Sequence, residues 1–259
     1  MRQSKTLPKL RAGEPVRLCA LGHFVPSFIR HAAHFGFDCI WLDLEHRAMT
    51  DREIQALFSY CHMYDIDCMV RTPTLEKIKL YRYLEDGATG LMIPHVSTVE
   101  KAQMIVNAVK FPPIGDRGFD GAGLDSDFIL KGGKDYPAAA NRETFIAVQI
   151  ETPEAVQNVD AIAAVEGIDA LFLGPGDLGL RLTHDRKCKL TVEEAQEQVA
   201  AAAAKHDKAW GRPARTEEDV AQFFDQGAQL IAFAGEYLAI LFHLEERAAV
   251  LDRIYSPEK

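Results

Sequence analysis

The sequence is short of several things, and each shortage excludes something. It has no basic excess: 29 Lys and Arg stand against 38 Asp and Glu, a net charge near −9 over 259 residues. Binding to nucleic acid draws on a net basic face that displaces counterions from phosphates, so no nucleic-acid partner is expected. A locally positive pocket for a small anion remains possible on such a protein. There are only five cysteines, Cys19, Cys39, Cys61, Cys68 and Cys188, with no C-x-x-C pair. That leaves no zinc knuckle or thioredoxin-like motif, and the expectation is buried free thiols in a reducing compartment. No uninterrupted apolar run approaches the roughly 20 residues that span a bilayer. The first 17 residues are polar and lack the apolar centre of a leader peptide. The expected location is the cytoplasm, with no membrane partner. Finally, Gly22-His23-Phe24 follows the first strand-like run where a dinucleotide-binding sheet would carry G-x-G-x-x-G.

What is present is alternation. Short β-branched and apolar runs occur at 16–22, 38–46, 67–73, 89–96, 144–152, 170–178 and 228–235, with a weaker one at 206–214. Helical patterns follow them at 27–35, from 50, up to 86, 97–110, 153–165, 192–205, 216–226 and 237–251. Thr50 with Glu53 reads as a capping box and Ser97 as a helix cap. The alanine run at 200–204 reads as a small-residue packing face. Strands joined through helices run parallel. Eight such units in about 250 residues predict a single-domain α/β fold, a (β/α)₈ TIM barrel over residues 1–259. Residues 1–15 form an N-terminal extension in this reading, and 237–259 a C-terminal helix that is free to pack on a neighbouring subunit. The Pro/Gly-rich stretch 111–137 has no clear period and is either a functional loop with short helices or a lid.

Active sites of such barrels lie at the C-terminal strand ends. The polar residues expected there are Asp43, Glu45 and His46, Arg71, His95, Gln149 and Glu151, and the turn Gly174-Pro175-Gly176-Asp177. Taken singly, each has a plain structural use, as a cap, a turn former or a helix-dipole partner. Together they converge. Glu151 and Asp177 end consecutive strands, about 4.8 Å apart, so both reach one hard cation of the Mg²⁺ or Mn²⁺ type. Arg71 opposite them suits an anionic substrate whose charge grows during reaction. Histidine is the side-chain type whose ordinary pKa lies near neutrality, so His46 is the natural general base. His23 and His95 either steer a substrate or pack as satisfied histidines. Arg212, on the weak seventh run, is either a second anion contact or a surface charge. Phe223, Phe224, Phe233 and Phe242 read as core.

These residues carry a resemblance. WLDLEH (41–46), VRTP (70–73), IPHV (93–96), RG (117–118), VQIET (148–152) and GPGDL (174–178) resemble, in order and spacing, the metal-dependent class II pyruvate aldolases of the 2-dehydro-3-deoxyglucarate and 4-hydroxy-2-oxoheptanedioate aldolase family. The resemblance runs from about residue 18 to 234. It implies catalytic roles for His46 as base, Arg71 as enolate stabiliser and Asp43 at the same strand end, with Glu151 and Asp177 as metal ligands. It implies that Gln149 contacts bound pyruvate and that the backbone around Gly176 holds the pyruvate carboxylate. Where the family often has an aspartate that raises the basicity of the histidine, this chain has Glu85, with Asp86 adjacent. The loop 118–125 also departs from the expected shorter one.

The expected function is therefore reversible cleavage of a 4-hydroxy-2-oxo acid to pyruvate and an aldehyde, dependent on a divalent metal ion (Mg²⁺, Mn²⁺ or Co²⁺). The absence of a lysine at a suitable strand end disfavours a Schiff-base aldolase. The competing readings are a decarboxylase or other C–C lyase of a 2-oxo diacid such as oxaloacetate, and a non-catalytic 2-oxo acid binding protein. The expected partners are the small-molecule 2-oxo acid and aldehyde. The family resemblance adds a homo-oligomer, a trimer or hexamer. The broad apolar surface of the last helix, with Leu238, Leu241, Phe242 and Leu244, fits it.

Overall fold

A computed structural model describes residues 1–185 and 188–255. Eight parallel strands close into a barrel in sequence order: β1 (Val16–Leu21), β2 (Cys39–Asp43), β3 (Asp67–Arg71), β4 (Gly90–Ile93), β5 (Phe145–Ile150), β6 (Ala170–Leu173), β7 (Ala209–Pro213) and β8 (Leu230–Gly235). Every residue of β4, β5 and β6 is buried, which is why those runs are continuously apolar rather than alternating. Met69, Met92, Phe145, Phe172 and Ala209 pack in one cluster inside the barrel. Gly90 makes room for the Phe145 ring, which a Cβ there would meet at 2.4 Å.

Helices form the outer layer: α1 (Thr6–Ala12), α2 (Pro26–His34), α3 (Asp51–Met63), α4 (Lys77–Glu85), α5 (Val99–Val109), α6 (Tyr136–Glu143), α7 (Pro153–Gln157), α8 (Val159–Ala163), α9 (Pro175–His184), α10 (Val192–Lys205), α11 (Glu217–Asp225) and α12 (Glu236–Tyr255). The capping box of Thr50 and Glu53 forms as expected, and Thr191/Glu194 and Thr216/Asp219 repeat it. The cap of α5 is Thr98, whose hydroxyl accepts from Lys101 N; Ser97, one residue early, bonds Thr152 instead.

Two expectations change and one gains detail. Residues 1–15 precede the eight strands of the barrel and are packed onto it rather than free. Leu7 and Leu10 of α1 belong to the interior cluster, and Asp67 at the foot of β3 accepts from Ser4 Oγ (2.7 Å), Lys5 N (2.9 Å) and Thr6 N (2.8 Å). That tie spans some 60 residues, so no local pattern announces it. The sixth strand ends at Leu173, and the GPGDL turn opens α9 with Pro175 in its first turn, where proline's missing N–H is harmless. Of the four phenylalanines, Phe223 is buried, while Phe224, Phe233 and Phe242 are half exposed or more. Phe242 belongs to α12, along which Leu238, Leu241, Leu244, Leu251 and Ile254 are also exposed. Residues 256–259 lie outside the described residues. In the 111–137 stretch, a short 3₁₀ turn, Leu124–Ser126, precedes α6.

Candidate active site

The strand register builds the first half of the site. Asp43 and Arg71 are paired neighbours on β2 and β3. Arg71 donates Nε and Nη2 to the two oxygens of Asp43 at 3.0 and 2.7 Å, a forked pair that fixes the guanidinium plane. Its Nη1 lies 3.2 Å from Glu45 Oε2, and the group sits 5.0 Å over the Trp41 ring. Burial pushes the Asp43 carboxyl up, but the hydrogen bonds and charge of Arg71 outweigh it and hold the group below the usual carboxylate range. Backbone N–H groups of Glu45 and His46 also donate to Asp43 Oδ1, folding the DLEH segment into a tight turn. His46 is thus half exposed, Nε2 3.5 Å from Glu45 Oε2, and is not among the residues lining the cavity that Arg71 and Glu151 share. Among the described residues, no other carboxylate lies within 4 Å of its ring.

The second half comes from β5, β6 and the turn after β4. Gln149 and Glu151 are both buried. Glu151 Oε1 accepts from His95 N at 2.6 Å and lies 2.9 Å from His95 Nδ1; Gln149 Nε2 donates to Glu151 Oε2 at 3.2 Å. His95 takes a positive φ of 55°, rare for a side-chain-bearing residue. Its Nε2 also reaches to 3.3 Å from Glu45 Oε1, so one histidine spans the two carboxylates. The Oε1 of Gln149 is buried with no partner. A Cβ at Gly174 would fall 2.6 Å from Glu151 Oε2, so only glycine leaves that carboxylate its place. Burial drives the Glu151 pKa up; His95 opposes this, and the charges of Glu45 and Asp177 reinforce it. Asp177, in the first turn of α9, is partly exposed and pairs with Arg181 at 2.7 Å.

Arg71, Gln149, Glu151, Gly176 and Asp177 line one cavity of about 440 Å³, together with Trp41, Phe172, Arg212, Arg215 and Asp219. Asp43 is not in that lining; it stands behind Arg71. Glu85 is elsewhere, 3.8 Å from the buried Arg117, which also meets Asp125 and donates to the Tyr136 hydroxyl. Burial raises Glu85, with Arg117 opposing. Sequence reasoning did not assign the bridging part of His95 or the hub part of Glu45, because both depend on which side chains the turns bring face to face. Arg212 is not a surface charge. It is half-buried, 4.4 Å over the Phe223 ring.

The donor set fits a hard divalent cation. Its members are oxygens, and Glu151 is a buried carboxylate whose neighbours Glu45 and Asp177 repel it, a cluster that a positive charge relieves. Among the described residues no group of three or more His, Cys, Asp or Glu side chains is disposed as a complete metal cage. Two carboxylates with the remaining positions left to substrate and water is the arrangement such ions accept.

Comparison with known proteins agrees with this geometry. Residues 20–240 match the HpcH/HpaI aldolase/citrate lyase family. The chain is 39% identical over 237 residues to a 4-hydroxy-2-oxovalerate aldolase of Novosphingobium aromaticivorans, covering 86% of this chain and 85% of that one. It is 33% identical over 219 residues to a 5-keto-4-deoxy-D-glucarate aldolase of Klebsiella pneumoniae, covering 84% of each. The crystal structure of an HpcH/HpaI aldolase from Desulfitobacterium hafniense superposes with a TM-score of 0.85 at 30% identity, covering 95% of both chains.

Proposed function

The chain belongs to the HpcH/HpaI aldolase/citrate lyase family and is an enzyme of the aldolase class; from that premise we propose that it cleaves a 4-hydroxy-2-oxo acid reversibly to pyruvate and an aldehyde. The observation that carries the reading is a clamped arginine, Arg71, and a buried carboxylate, Glu151, that burial and the nearby charges of Glu45 and Asp177 disfavour, on the walls of one cavity. Glu151 and Asp177 are the residues that hold the divalent ion, Mg²⁺, Mn²⁺ or Co²⁺. When bound, it supplies Lewis-acid polarisation of the 2-oxo group.

The chain's own residues do the rest. The open backbone at Gly176, where even a Cβ would meet nothing within 4 Å, leaves room for the substrate carboxylate. The buried amide of Gln149 orients the 2-oxo acid. Arg71, its plane fixed by Asp43, faces the oxygen on which enolate charge grows as the C3–C4 bond breaks. His46 takes the proton from the C4 hydroxyl, with Glu45 3.5 Å away. Glu85 and Asp86 are the alternative partners suggested by the resemblance. Glu85 serves that role only if substrate binding or assembly brings it to His46.

The protein acts in the cytoplasm as one barrel domain and as a trimer or hexamer. Support comes from the exposed apolar residues on both sides of α12, which a helix covering only its own barrel does not need. Among the described residues no helix is long and apolar enough to cross a membrane. Light scattering giving a mass near 28.8 kDa at micromolar concentration counts against assembly.

A second reading, decarboxylation or other C–C cleavage of a 2-oxo diacid such as oxaloacetate, draws on the position of His46 outside the cavity lining, since that reaction needs no alcohol proton removed. The deciding experiment measures pyruvate release over a panel of 4-hydroxy-2-oxo acids and oxaloacetate, with and without Mn²⁺, in wild type and His46→Ala. Metal-dependent aldol cleavage lost in His46→Ala is expected. Turnover of oxaloacetate alone, retained in His46→Ala, overturns the aldol reading.

A further inference from the structure

Arg71 lies on β3 and Arg212 on β7, four strands apart in an eight-stranded barrel, so the two residues line opposite sides of the cavity. The reaction derived above uses Arg71 and assigns nothing to Arg212 or to Arg215, which lines the same cavity just after β7. Arg212 is placed in detail. Its guanidinium lies over Phe223, Nη1 donates to Gln196 Oε1, and Gln196 is held in turn by Gln226. Its Nε is buried with no hydrogen-bond partner. Among the described residues neither Arg212 nor Arg215 has a carboxylate within 4 Å. Asp219, the nearest acid of the lining, uses its Oδ2 to accept from the backbone N–H groups of Arg215 and Thr216. Burial lowers the Arg212 pKa, Asp219 and Glu193 oppose that, and the charge of Arg215 lowers it further. Two like charges near one another, one half-buried with an unpartnered Nε, make an unfavourable arrangement by themselves. An anion between them relieves it.

We propose that Arg212 and Arg215 form a second anion site that selects substrates carrying a terminal carboxylate, sulfonate or phosphate on the aldehyde half. The 2-oxo acid end then lies toward Arg71 and Glu151, and the distal charge lies at the β7 wall. Guanidinium groups suit all three anions, since their forked donors match planar and tetrahedral oxyanions alike. Arg212 and Arg215 are specificity residues; they take no part in bond cleavage. The site rests on the aldolase reading for its substrate but not for its anion.

The test compares 4-hydroxy-2-oxo acids of equal length ending in a carboxylate, a sulfonate, a phosphate or a methyl group. Arg215→Gln is the primary variant, because the residue is exposed and its loss leaves the fold intact. Arg212→Gln and the charge-keeping Arg212→Lys follow. Losing a hydrogen-bonded charge partner lowers kcat/KM by roughly 10- to 100-fold. That fall is expected for the charged-tail substrates in both Gln variants, mostly through KM, with the methyl-ended substrate within about twofold of wild type. Partial recovery is expected in Arg212→Lys. The ranking of the three anions identifies which one the site takes. Equal losses on charged and methyl-ended substrates overturn the proposal, because the arginines then serve the 2-oxo acid end or the fold. So does the absence of any change. Calorimetric binding of 2-oxoadipate to the metal-loaded protein separates the two claims. If wild type cleaves nothing but binds 2-oxoadipate in an Arg215-dependent way, the anion site stands and the aldolase reading falls. If binding is indifferent to Arg215, the anion site falls whatever the turnover.

Discussion

Two buried carboxylates at opposite ends of the same barrel are treated in opposite ways. Asp67, at the foot of β3, is fully enclosed and accepts from Ser4 Oγ, from the backbone of Lys5 and Thr6, and from Arg2. Glu151, at the top of β5, is just as buried, yet its partners are a backbone N–H, a histidine ring and a glutamine amide whose own oxygen is left unpaired. No arginine or lysine pairs with it among the described residues. Saturation at one end, with an arginine among the partners, ties the amino-terminal helix to the barrel. At the other end the carboxylate has hydrogen bonds but, among the described residues, no arginine or lysine, which is what the proposed metal site calls for.

Breaking each carboxylate sharpens that contrast. The largest effect is expected at Glu151. Glu151→Ala, or chelation of metal from wild type, abolishes pyruvate formation, while urea denaturation of the variant shows a fold at least as stable as metal-free wild type. Full activity in EDTA-treated protein verified metal-free by atomic emission would sink the metal requirement. Asp67→Ala is the mirror experiment. Removing one member of a buried ionic network typically costs about 3–5 kcal/mol. The urea midpoint should fall accordingly, with turnover per folded molecule unchanged; an unaltered midpoint refutes the tethering role.

Arg71→Lys comes next. It keeps the charge and loses the fork, and a lost transition-state donor costs about 2.7–4 kcal/mol of barrier, or roughly 10²–10³ in kcat. A turnover number equal to wild type excludes the role. The smallest effect is a pH dependence. Because the folded-state pKa of Glu151 is raised, mainly by burial, the native state binds more protons than the unfolded chain between the ordinary carboxylate value and the raised one. Stability of the metal-free protein from this group therefore falls as pH rises through that window. The isosteric Glu151→Gln has no such charge, so its Tm advantage over metal-free wild type should grow from acid toward neutral pH and vanish when metal is added to wild type. A pH-independent difference removes Glu151 as its source.

The alternation of short apolar runs with helical patterns was enough to predict eight parallel strands, because burial on both faces is written directly into FIAVQI and ALFL. The strand-end rule then placed Arg71, Gln149, Glu151 and the GPGDL turn on one rim, and the structure lines one cavity with all of them. What pattern reasoning lost was everything set by contacts between distant segments. The packing of the first residues on the barrel is not legible in the sequence because a seven-residue helix has too little periodicity to announce itself. Its anchor, Asp67, lies about 60 residues away. The exposed phenylalanines misled because an apolar residue in a helix signals burial only when the face it occupies is covered.

The sequence by itself determined which residues stand at the strand ends, since a strand's length and its place in the chain set which side chains reach the rim. It also determined that the chemistry available there is that of an arginine, a histidine and two carboxylates. Only the tertiary structure decided what each of these groups faces. Asp43 serves Arg71 because the β2–β3 register sets them side by side. His95 spans Glu45 and Glu151 because its backbone adopts a left-handed turn. Arg212, which the sequence left between surface charge and anion contact, lies over Phe223 with its Nε unpartnered because β7 and α11 meet there. Pairing of this kind depends on angstrom-scale distances between segments, and electrostatic and hydrogen-bond energies vary steeply over those distances, while residue type and spacing along the chain do not record them.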